Sequence, residues 1–183
     1  MASKNNTTEE YKQVIKTCKD IFIKKTKDYG TAWRILRLSS ITDQIFIKAQ
    51  RIRSIQEKGT QLVADDINGE FIGIINYCII ALIQLELTED EAMELAWERV
   101  EALYEKHYQE TFKLLMAKNH DYGEAWRDMR VSSITDIILM KLFRVKQIED
   151  NQGQTIISEG VGANYQDMIN YAVFALIKLT VNK

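Results

Sequence analysis

The chain has 183 residues, of which 46% are hydrophobic, and its formal net charge is −2 at neutral pH. This length suits one compact domain or two packed repeats of about 80–90 residues. The slightly acidic balance argues against a general binder of nucleic acids or membrane surfaces. The most apolar run, residues 71–85, is shorter than the roughly 20 residues that span a membrane. We therefore expect a cytoplasmic protein without a membrane segment, whose two cysteines are reduced core residues.

The first half of the chain predicts three helices, and the absence of proline leaves long stretches free to form them. They are expected over residues 7–27, 40–58 and about 70–85, with a polar loop at 59–69. Thr7 and Glu10 have the spacing of a capping box, and Gly30 favours a left-handed end to the first helix. Ser40 is expected to cap the second helix. The third helix is apolar on most sides, which predicts a central position.

The second half repeats this layout. Another capping-box pattern, Thr88 to Glu91, predicts a long helix over about residues 88–118 that joins the two halves without a flexible linker. Helices over residues 133–150 and 163–180 complete the copy. The expected architecture is an all-α, tandem three-helix repeat packed as one helical bundle with internal pseudo-two-fold symmetry. Repeat one is predicted at residues 1–87 and repeat two at residues 88–183.

A segment of 16 residues occurs twice, at positions 28–43 and 121–136, and 12 of the 16 positions are identical. The identical positions are polar and aromatic as well as apolar, whereas a duplicated core would need only matching apolar positions. The match continues in Lys48/Lys141, Arg51/Arg144, Asn76/Asn170 and Tyr77/Tyr171. This duplication of polar residues predicts two related sites.

Two lysines occupy unusual positions on the second helix of each repeat. At about 100° per residue, Lys48 and Lys141 fall inside the apolar stripe of their helices, and Arg51 and Arg144 lie at its edge. A buried ammonium group is costly unless it reaches solvent or meets an anion. We expect an anion beside each lysine, either an internal carboxylate or a bound phosphate.

The start of each second helix is a candidate anion site. A helix that opens with Ser-Ser-Ile-Thr offers free N–H groups and hydroxyls to an anion. Two arginines precede each such helix, and together with it they would form a phosphate cradle; these are Arg34, Arg37, Arg127 and Arg130. Pairing with exposed acids is an equally good interpretation of these arginines. Asp43 and Asp136 resemble metal ligands, but their position after Ser40 and Ser133 favours a capping role.

The Asp-Tyr-Gly sequence at the end of each first helix also attracts attention. Asp28 and Asp121 oppose the helix dipole at that end, so their retention in both repeats indicates a polar partner or a ligand. Trp33 and Trp126 follow, and we interpret them as packing anchors, with stacking on a nucleotide base as the alternative.

The two third helices differ at one position that carries charge. Asp167 and Asn170 lie three residues apart on one face of an apolar helix, where buried polar groups must be paired or bound to a ligand. The aligned position in repeat one is Gly73, although Asn76 is retained. Asp167 could neutralise Lys141 or Lys48, or it could hold a divalent cation with Asp121 and Glu159. Because Gly73 removes that carboxylate, one working site is expected rather than two equal ones.

The repeated string Lys-x-x-Asp-Tyr-Gly-x-Ala-Trp-Arg-x-x-Arg-x-Ser-Ser-Ile-Thr-Asp, followed by Lys-x-x-Arg and an Asn-Tyr helix, resembles the nucleotide modification associated domain family. The resemblance covers nearly the whole chain, once in each repeat. It implies a helical domain linked to modified nucleotides or nucleotide metabolism. The layout is also distantly similar to the all-α nucleoside triphosphate pyrophosphohydrolases of the MazG type, which bind Mg²⁺ through Glu-x-x-Glu and Glu-x-x-Asp pairs. Here Asp167-x-x-Asn170 is a remnant of the second pair, and neither second helix has a Glu-x-x-Glu pair.

These observations lead to two hypotheses. In the first, the chain binds, and hydrolyses with Mg²⁺, a nucleotide or modified nucleotide phosphate, with Asp28, Asp121 and Asp167 as metal ligands and the repeated lysines and arginines on the phosphate. In the second, the chain is a non-catalytic helical interaction module whose repeated polar residues are structural. Binding of nucleic acid is disfavoured, assembly into a homo-oligomer stays open, and no catalytic residue is assigned.

Overall fold

The structure is a computed structural model that describes residues 6–59 and 66–181. These residues form six α-helices, two 3₁₀ turns and a terminal π-helix, without any strand. The helices are α1 Thr7–Tyr29, α2 Leu38–Lys58, α3 Ile67–Glu86, α4 Trp97–Tyr122, α5 Val131–Asp150 and α6 Val161–Leu176; the 3₁₀ turns are Ala32–Ile35 and Ala125–Asp128, and the π-helix is Ile177–Val181. The predicted all-α tandem repeat is confirmed. The middle of the predicted polar loop, residues 60–65, lies outside the described residues.

The core lies where α2, α3, α5 and α6 meet, with α1 and α4 packed on the outside of α3 and α6. Helices α2 and α5 are antiparallel, because Asp43 near the start of α2 pairs with Lys146 near the end of α5 at 3.2 Å. The equivalent pair, Asp136 and Arg53, lies at 3.7 Å. A shift of 93 positions relates the two aspartates, so the pseudo-two-fold axis passes between α2 and α5.

The capping roles predicted for Ser40, Ser133, Asp43 and Asp136 are wrong. Helices α2 and α5 begin two residues earlier than expected, at Leu38 and Val131, so both serines lie inside a helix. Asp43 and Asp136 therefore lie beyond the first helical turn, where each pairs with a basic residue of the neighbouring helix. Helix α1 is likewise capped by Asn6, whose side chain accepts the N–H of Glu9 at 3.3 Å.

Two buried asparagines connect the repeats. The side chain of Asn76 accepts the hydroxyl of Tyr104 at 2.9 Å and donates to the carbonyl of Cys18 at 3.0 Å. Asn170 repeats this arrangement, accepting the hydroxyl of Tyr11 at 2.9 Å and donating to the carbonyl of Thr111 at 3.3 Å. Each asparagine thus bonds a tyrosine of the other repeat, which satisfies its buried amide and explains why both copies keep it.

The continuous helix predicted over residues 88–118 is wrong in its first part. Residues 87–96 leave the helix, and α4 begins at Trp97. Arg34 donates to the carbonyl of Ala92 at 3.0 Å and to that of Asp90 at 2.6 Å, and it also bonds Gln84. These contacts, together with burial of Leu87 and Leu95 in the core, hold the linker against the first 3₁₀ turn, so tertiary packing overrides the local capping pattern. The predicted boundary between the repeats stays a prediction.

Gly30 and Gly123 offer a matched test of this linker. Both have φ near +60°, at 60° and 64°, which an alanine adopts only with strain. A Cβ at Gly30 would also lie 2.5 Å from a carboxylate oxygen of Glu94 in the linker, whereas a Cβ at Gly123 would meet nothing within 4 Å. We expect each alanine variant to lose about 1–3 kcal/mol of unfolding free energy, and Gly30→Ala to lose more. Urea denaturation of both variants checks this, and equal losses would contradict a tight contact of Glu94 with Gly30.

A partly buried acid at the α2–α5 contact gives a pH prediction. Thr42 donates to Glu149 at 2.6 Å, and burial raises the pKa of Glu149 against the lowering effect of hydrogen bonds from Thr42 and Tyr165. Because the folded-state pKa is raised, the stability that protonated Glu149 contributes is fully present below its unfolded-state pKa of about 4. This contribution is lost as the pH rises through the folded-state pKa. Glu149→Gln, which restores the residue type of Gln56 at the equivalent place, should therefore raise the Tm at pH 7 but not at pH 3. The same Tm for Glu149→Gln and the wild-type protein at pH 7 would contradict this prediction.

Helix α3 is, among the described helices, the one whose length and composition would allow it to cross a membrane. In the structure 61% of its most apolar stretch is buried inside the molecule. Its apolar surface is accounted for by packing against α2 and α6.

Candidate functional site

A cavity of about 670 Å³ lies in repeat one, between the end of α1, the first 3₁₀ turn, α2 and α3. One wall is apolar and aromatic and includes Phe22, Trp33, Leu36 and Ile80. The charged residues that line it are Lys25, Lys48, Asp66 and Glu70. The duplicated Asp-Tyr-Gly-x-Ala-Trp segment therefore forms part of the rim, since Tyr29, Gly30 and Trp33 all line the cavity.

Lys48 reaches this cavity, and its ion pair with a carboxylate is long. Its ammonium lies 3.7 Å from Glu70 and 5.7 Å from the centre of the Tyr77 ring. Glu70 is held more tightly by Arg51, at 2.8 Å. Lys25 makes no ion pair within the part of the chain that the structure describes. The two lysines therefore carry positive charge that internal acids only partly neutralise.

The equivalent lysines of repeat two are fully paired. Lys118 and Lys141 each lie 2.7 Å from a different oxygen of Asp167, which is buried. Burial raises the pKa of Asp167, but the hydrogen bonds from the two lysines outweigh it and hold the pKa below its usual value. Asp167 is therefore an ionised internal partner for Lys141, one of the two roles that the sequence allowed.

Gly73 is the position that distinguishes the repeats. It aligns with Asp167, as Asn76 aligns with Asn170, and Lys25 and Lys48 align with Lys118 and Lys141. A Cβ built at Gly73 would lie 2.8 Å from Cδ and 3.2 Å from Nζ of Lys48. The end of Lys48 thus lies over the glycine, in the space that the aspartate side chain would enter. The same two cations are present in both repeats, but one repeat lacks their carboxylate.

In each of the two predicted cradles one of the two arginines is engaged elsewhere, so neither cradle forms as expected. Arg34 binds the linker and Gln84, and Arg127 binds Glu10 at 2.5 Å and Glu124 at 2.9 Å. Both side chains thus serve internal contacts between distant segments. Arg37 and Arg130 are exposed N-cap residues of α2 and α5 and do not line the cavity.

Arg144 has a different setting from Arg51. It is exposed and lines an open groove of about 760 Å³ between α5 and residues 151–159. Glu159 lies in that groove but is fully on the surface. The aligned residues Arg51 and Arg144 therefore do not form two equivalent sites.

The three aspartates proposed as Mg²⁺ ligands do not come together. Asp28 is exposed in repeat one, Asp121 is exposed in repeat two and pairs with His120 at 3.0 Å, and Asp167 is held by two lysines. Within residues 6–59 and 66–181, no group of three acidic, histidine or cysteine side chains is arranged to hold a metal ion. The residues present do not fit a protein-bound Mg²⁺, because the one buried carboxylate already has two cationic partners.

The two tryptophans have different surroundings. Trp126 is buried and stacks on Phe174, with ring centres 4.3 Å apart and planes 4° apart, so its predicted role as a packing anchor is confirmed. Trp33 is only partly buried and lines the cavity, where Ile80 occupies the position aligned with Phe174. Both indole Nε1 atoms are buried without a hydrogen-bond partner in the described structure.

Sequence reasoning missed Lys25 and Lys118 as members of these clusters. Both precede the Asp-Tyr-Gly segment by three residues, so the repeated Lys-x-x-Asp pattern was a usable signal. The pattern contributes to the resemblance to a family, but it was not used to place a cation. Glu70 was also missed, because its aligned residue is Asn164 and no repetition marks it.

Comparison with known proteins identifies the family. The model of nucleotide modification associated domain 1 matches residues 25–85 and again residues 118–179. The chain belongs to this family and contains two copies of its domain. No curated protein and no solved structure matches the chain, so the distant similarity to MazG-type pyrophosphohydrolases is not shown.

Proposed function

We propose that the cavity of repeat one binds a nucleotide or a nucleotide-like small molecule through its phosphate. The observation that carries this proposal is the difference between the repeats at one aligned position, where repeat two has Asp167 and repeat one has Gly73. It leaves Lys25 and Lys48 beside a cavity without the carboxylate that pairs with their counterparts in repeat two. Lysines placed in this way attract a phosphate as point charges.

The rest of the cavity suits an aromatic base. Its volume of about 670 Å³ falls in the range of roughly 300–1,000 Å³ that is usual for small-molecule sites. Trp33 and Tyr29 at the rim offer rings on which a base can stack. The description of the family points to the same class of compound.

The geometry supports binding more directly than hydrolysis. Because the described residues hold no carboxylate cluster for Mg²⁺, any Mg²⁺ at this site would arrive with the phosphates of the ligand. We therefore derive no hydrolytic step, and Mg²⁺-dependent cleavage remains a proposal that an assay for phosphate or pyrophosphate release from the bound compound tests.

Thermal unfolding with nucleoside mono-, di- and triphosphates, with and without Mg²⁺, tests the proposal. A ligand present at one hundred times its dissociation constant should add about 2.7 kcal/mol to the free energy of unfolding. Lys48→Met should abolish this gain, because it removes the ammonium but keeps most of the aliphatic chain. Lys24→Met, which changes an exposed lysine outside the cavity, should keep it. A full gain in Lys48→Met would contradict the assignment.

The alternative function, a non-catalytic interaction module, has one specific observation in its favour. Several duplicated polar residues, among them Arg34, Arg127, Asn76 and Asn170, are consumed by contacts between the repeats or with the linker. If no compound in the panel stabilises the protein, this module becomes the better account, with the cavity lysines as part of its surface charge.

A further inference from the structure

We infer that repeat one binds a single phosphate group over Gly73, between Lys25 and Lys48. The phosphate takes the position in repeat one that the carboxylate of Asp167 occupies in repeat two. This inference rests on the proposed function and narrows it. It assigns the ligand to the phosphate monoesters, such as nucleoside monophosphates, and it gives the chain one site.

The arrangement around Asp167 supplies the geometry. One carboxylate oxygen accepts from Lys118 and the other from Lys141, each at 2.7 Å. In this arrangement each of two ammonium groups binds a different oxygen of the same anion. A phosphate can form it as readily as a carboxylate. The clamp is therefore specific for a compact terminal anion and not for a particular residue.

The surrounding framework is the same in both repeats. Asn76 and Asn170 lie three residues after Gly73 and Asp167, and each is fixed by the same pair of hydrogen bonds to a tyrosine and to a backbone carbonyl. The backbone of α3 at Gly73 is thus anchored as that of α6 is at Asp167. In repeat one the three heavy atoms nearest to a Cβ at Gly73 all belong to the flexible end of Lys48, which a ligand can move aside.

Charge favours a monophosphate over a triphosphate. A phosphate monoester carries a charge of about −1.5 to −2 at pH 7, which matches two ammonium groups. Further phosphates would have to extend into a cavity whose other charged residues are Glu70 and Asp66. Both are acids, so additional negative charge there meets repulsion, and the guanidinium of Arg51 is already engaged by Glu70.

Calorimetric titration of Gly73→Asp and Gly73→Asn tests the inference, with inorganic phosphate and the 5′-mono- and 5′-triphosphates of each common nucleoside as probes. Gly73→Asp recreates the internal carboxylate and should weaken monophosphate binding about 100-fold. Gly73→Asn is the matched control of the same size, and it should weaken binding by clearly less. The wild-type protein should prefer the monophosphate to the triphosphate of the same base by about tenfold or more.

A second variant keeps the inference testable if Gly73→Asp does not fold. Asp167→Gly opens the second clamp, so the number of phosphate groups bound per chain should rise from one to two. A tighter triphosphate, unchanged binding in Gly73→Asp, or a stoichiometry that stays at one in Asp167→Gly would each overturn the inference and leave the proposed function standing. Binding of none of the probes would overturn both.

Discussion

Replacing Asp167 with asparagine is expected to lower the free energy of unfolding by about 3 kcal/mol, the cost of breaking a buried ion pair from one side. Asparagine keeps the shape of the side chain but leaves Lys118 and Lys141 without their counter-charge. Urea denaturation at pH 7 measures the effect. Asp121→Asn is the control, because that residue is exposed, and its effect should stay within about 0.5 kcal/mol.

The same residue predicts a dependence on acid. Because the folded-state pKa of Asp167 is lowered, its contribution to stability is present above the unfolded-state pKa of about 3.9 and is lost as the pH falls through the folded-state value. The difference in Tm between the wild-type protein and Asp167→Asn should therefore shrink below about pH 4. A difference that is constant from pH 7 to pH 2.5 would show that the effect does not come from this ion pair.

Trp126→Ala is expected to lose about 3–5 kcal/mol of unfolding free energy, as is usual when a buried aromatic side chain is truncated. The indole is 5% exposed, stacks on Phe174 and lies 4.4 Å from the guanidinium of Arg127. Trp33→Ala is the matched variant in repeat one. Because Trp33 is only partly buried, we expect about half of that loss.

For ligand binding, the two tryptophans should rank in the opposite order to their effects on stability. Trp33 lines the cavity and Trp126 does not, so Trp33→Ala should weaken nucleotide binding while Trp126→Ala, where it still folds, should not. Equal loss of stability in the two variants would contradict the packing difference. Unchanged nucleotide binding in Trp33→Ala would contradict the assignment of the base to this rim.

The fold could be predicted from the sequence largely because it is written twice. Two copies of each helical pattern support the prediction of each helix. The predicted starts of α2 and α5 differ from the observed ones by two residues. The linker could not be predicted in the same way. The Thr88 capping pattern is sound locally, but Arg34, more than 50 residues away, binds the linker backbone and favours a non-helical path.

The site was predicted in part for the same reason. Lys48 and Lys141 stood out because a cation inside an apolar stripe needs an anion, and Asp167 was identified as a candidate for that anion. Pairing with acids was one interpretation of the arginines, and Arg127 has such a pairing. The linker contact of Arg34 and the contact of Arg127 with Glu10 could not be predicted, because these acceptors lie 56 and 117 residues away along the chain. Helical spacing places residues on a face, but it does not tell which distant segment will cover that face.

The asymmetry between the repeats has a simple physical consequence. Both repeats present the same two lysines, and the carboxylate of Asp167 closes the clamp of repeat two. Repeat two thereby contributes the ion pairs of the buried, ionised Asp167 and the tyrosine that bonds Asn76. Repeat one keeps the cavity. On this account one copy serves the stability of the bundle and the other serves binding.

Isothermal titration of the wild-type protein with the nucleoside monophosphate that stabilises it most tests the central claim most directly. The account predicts one binding event per chain, absent in Lys48→Met and retained in Lys24→Met. Two equal events per chain would contradict the assignment of repeat two as self-occupied. An event that survives in Lys48→Met would place the ligand elsewhere, and no event with any nucleotide would contradict the proposed function itself.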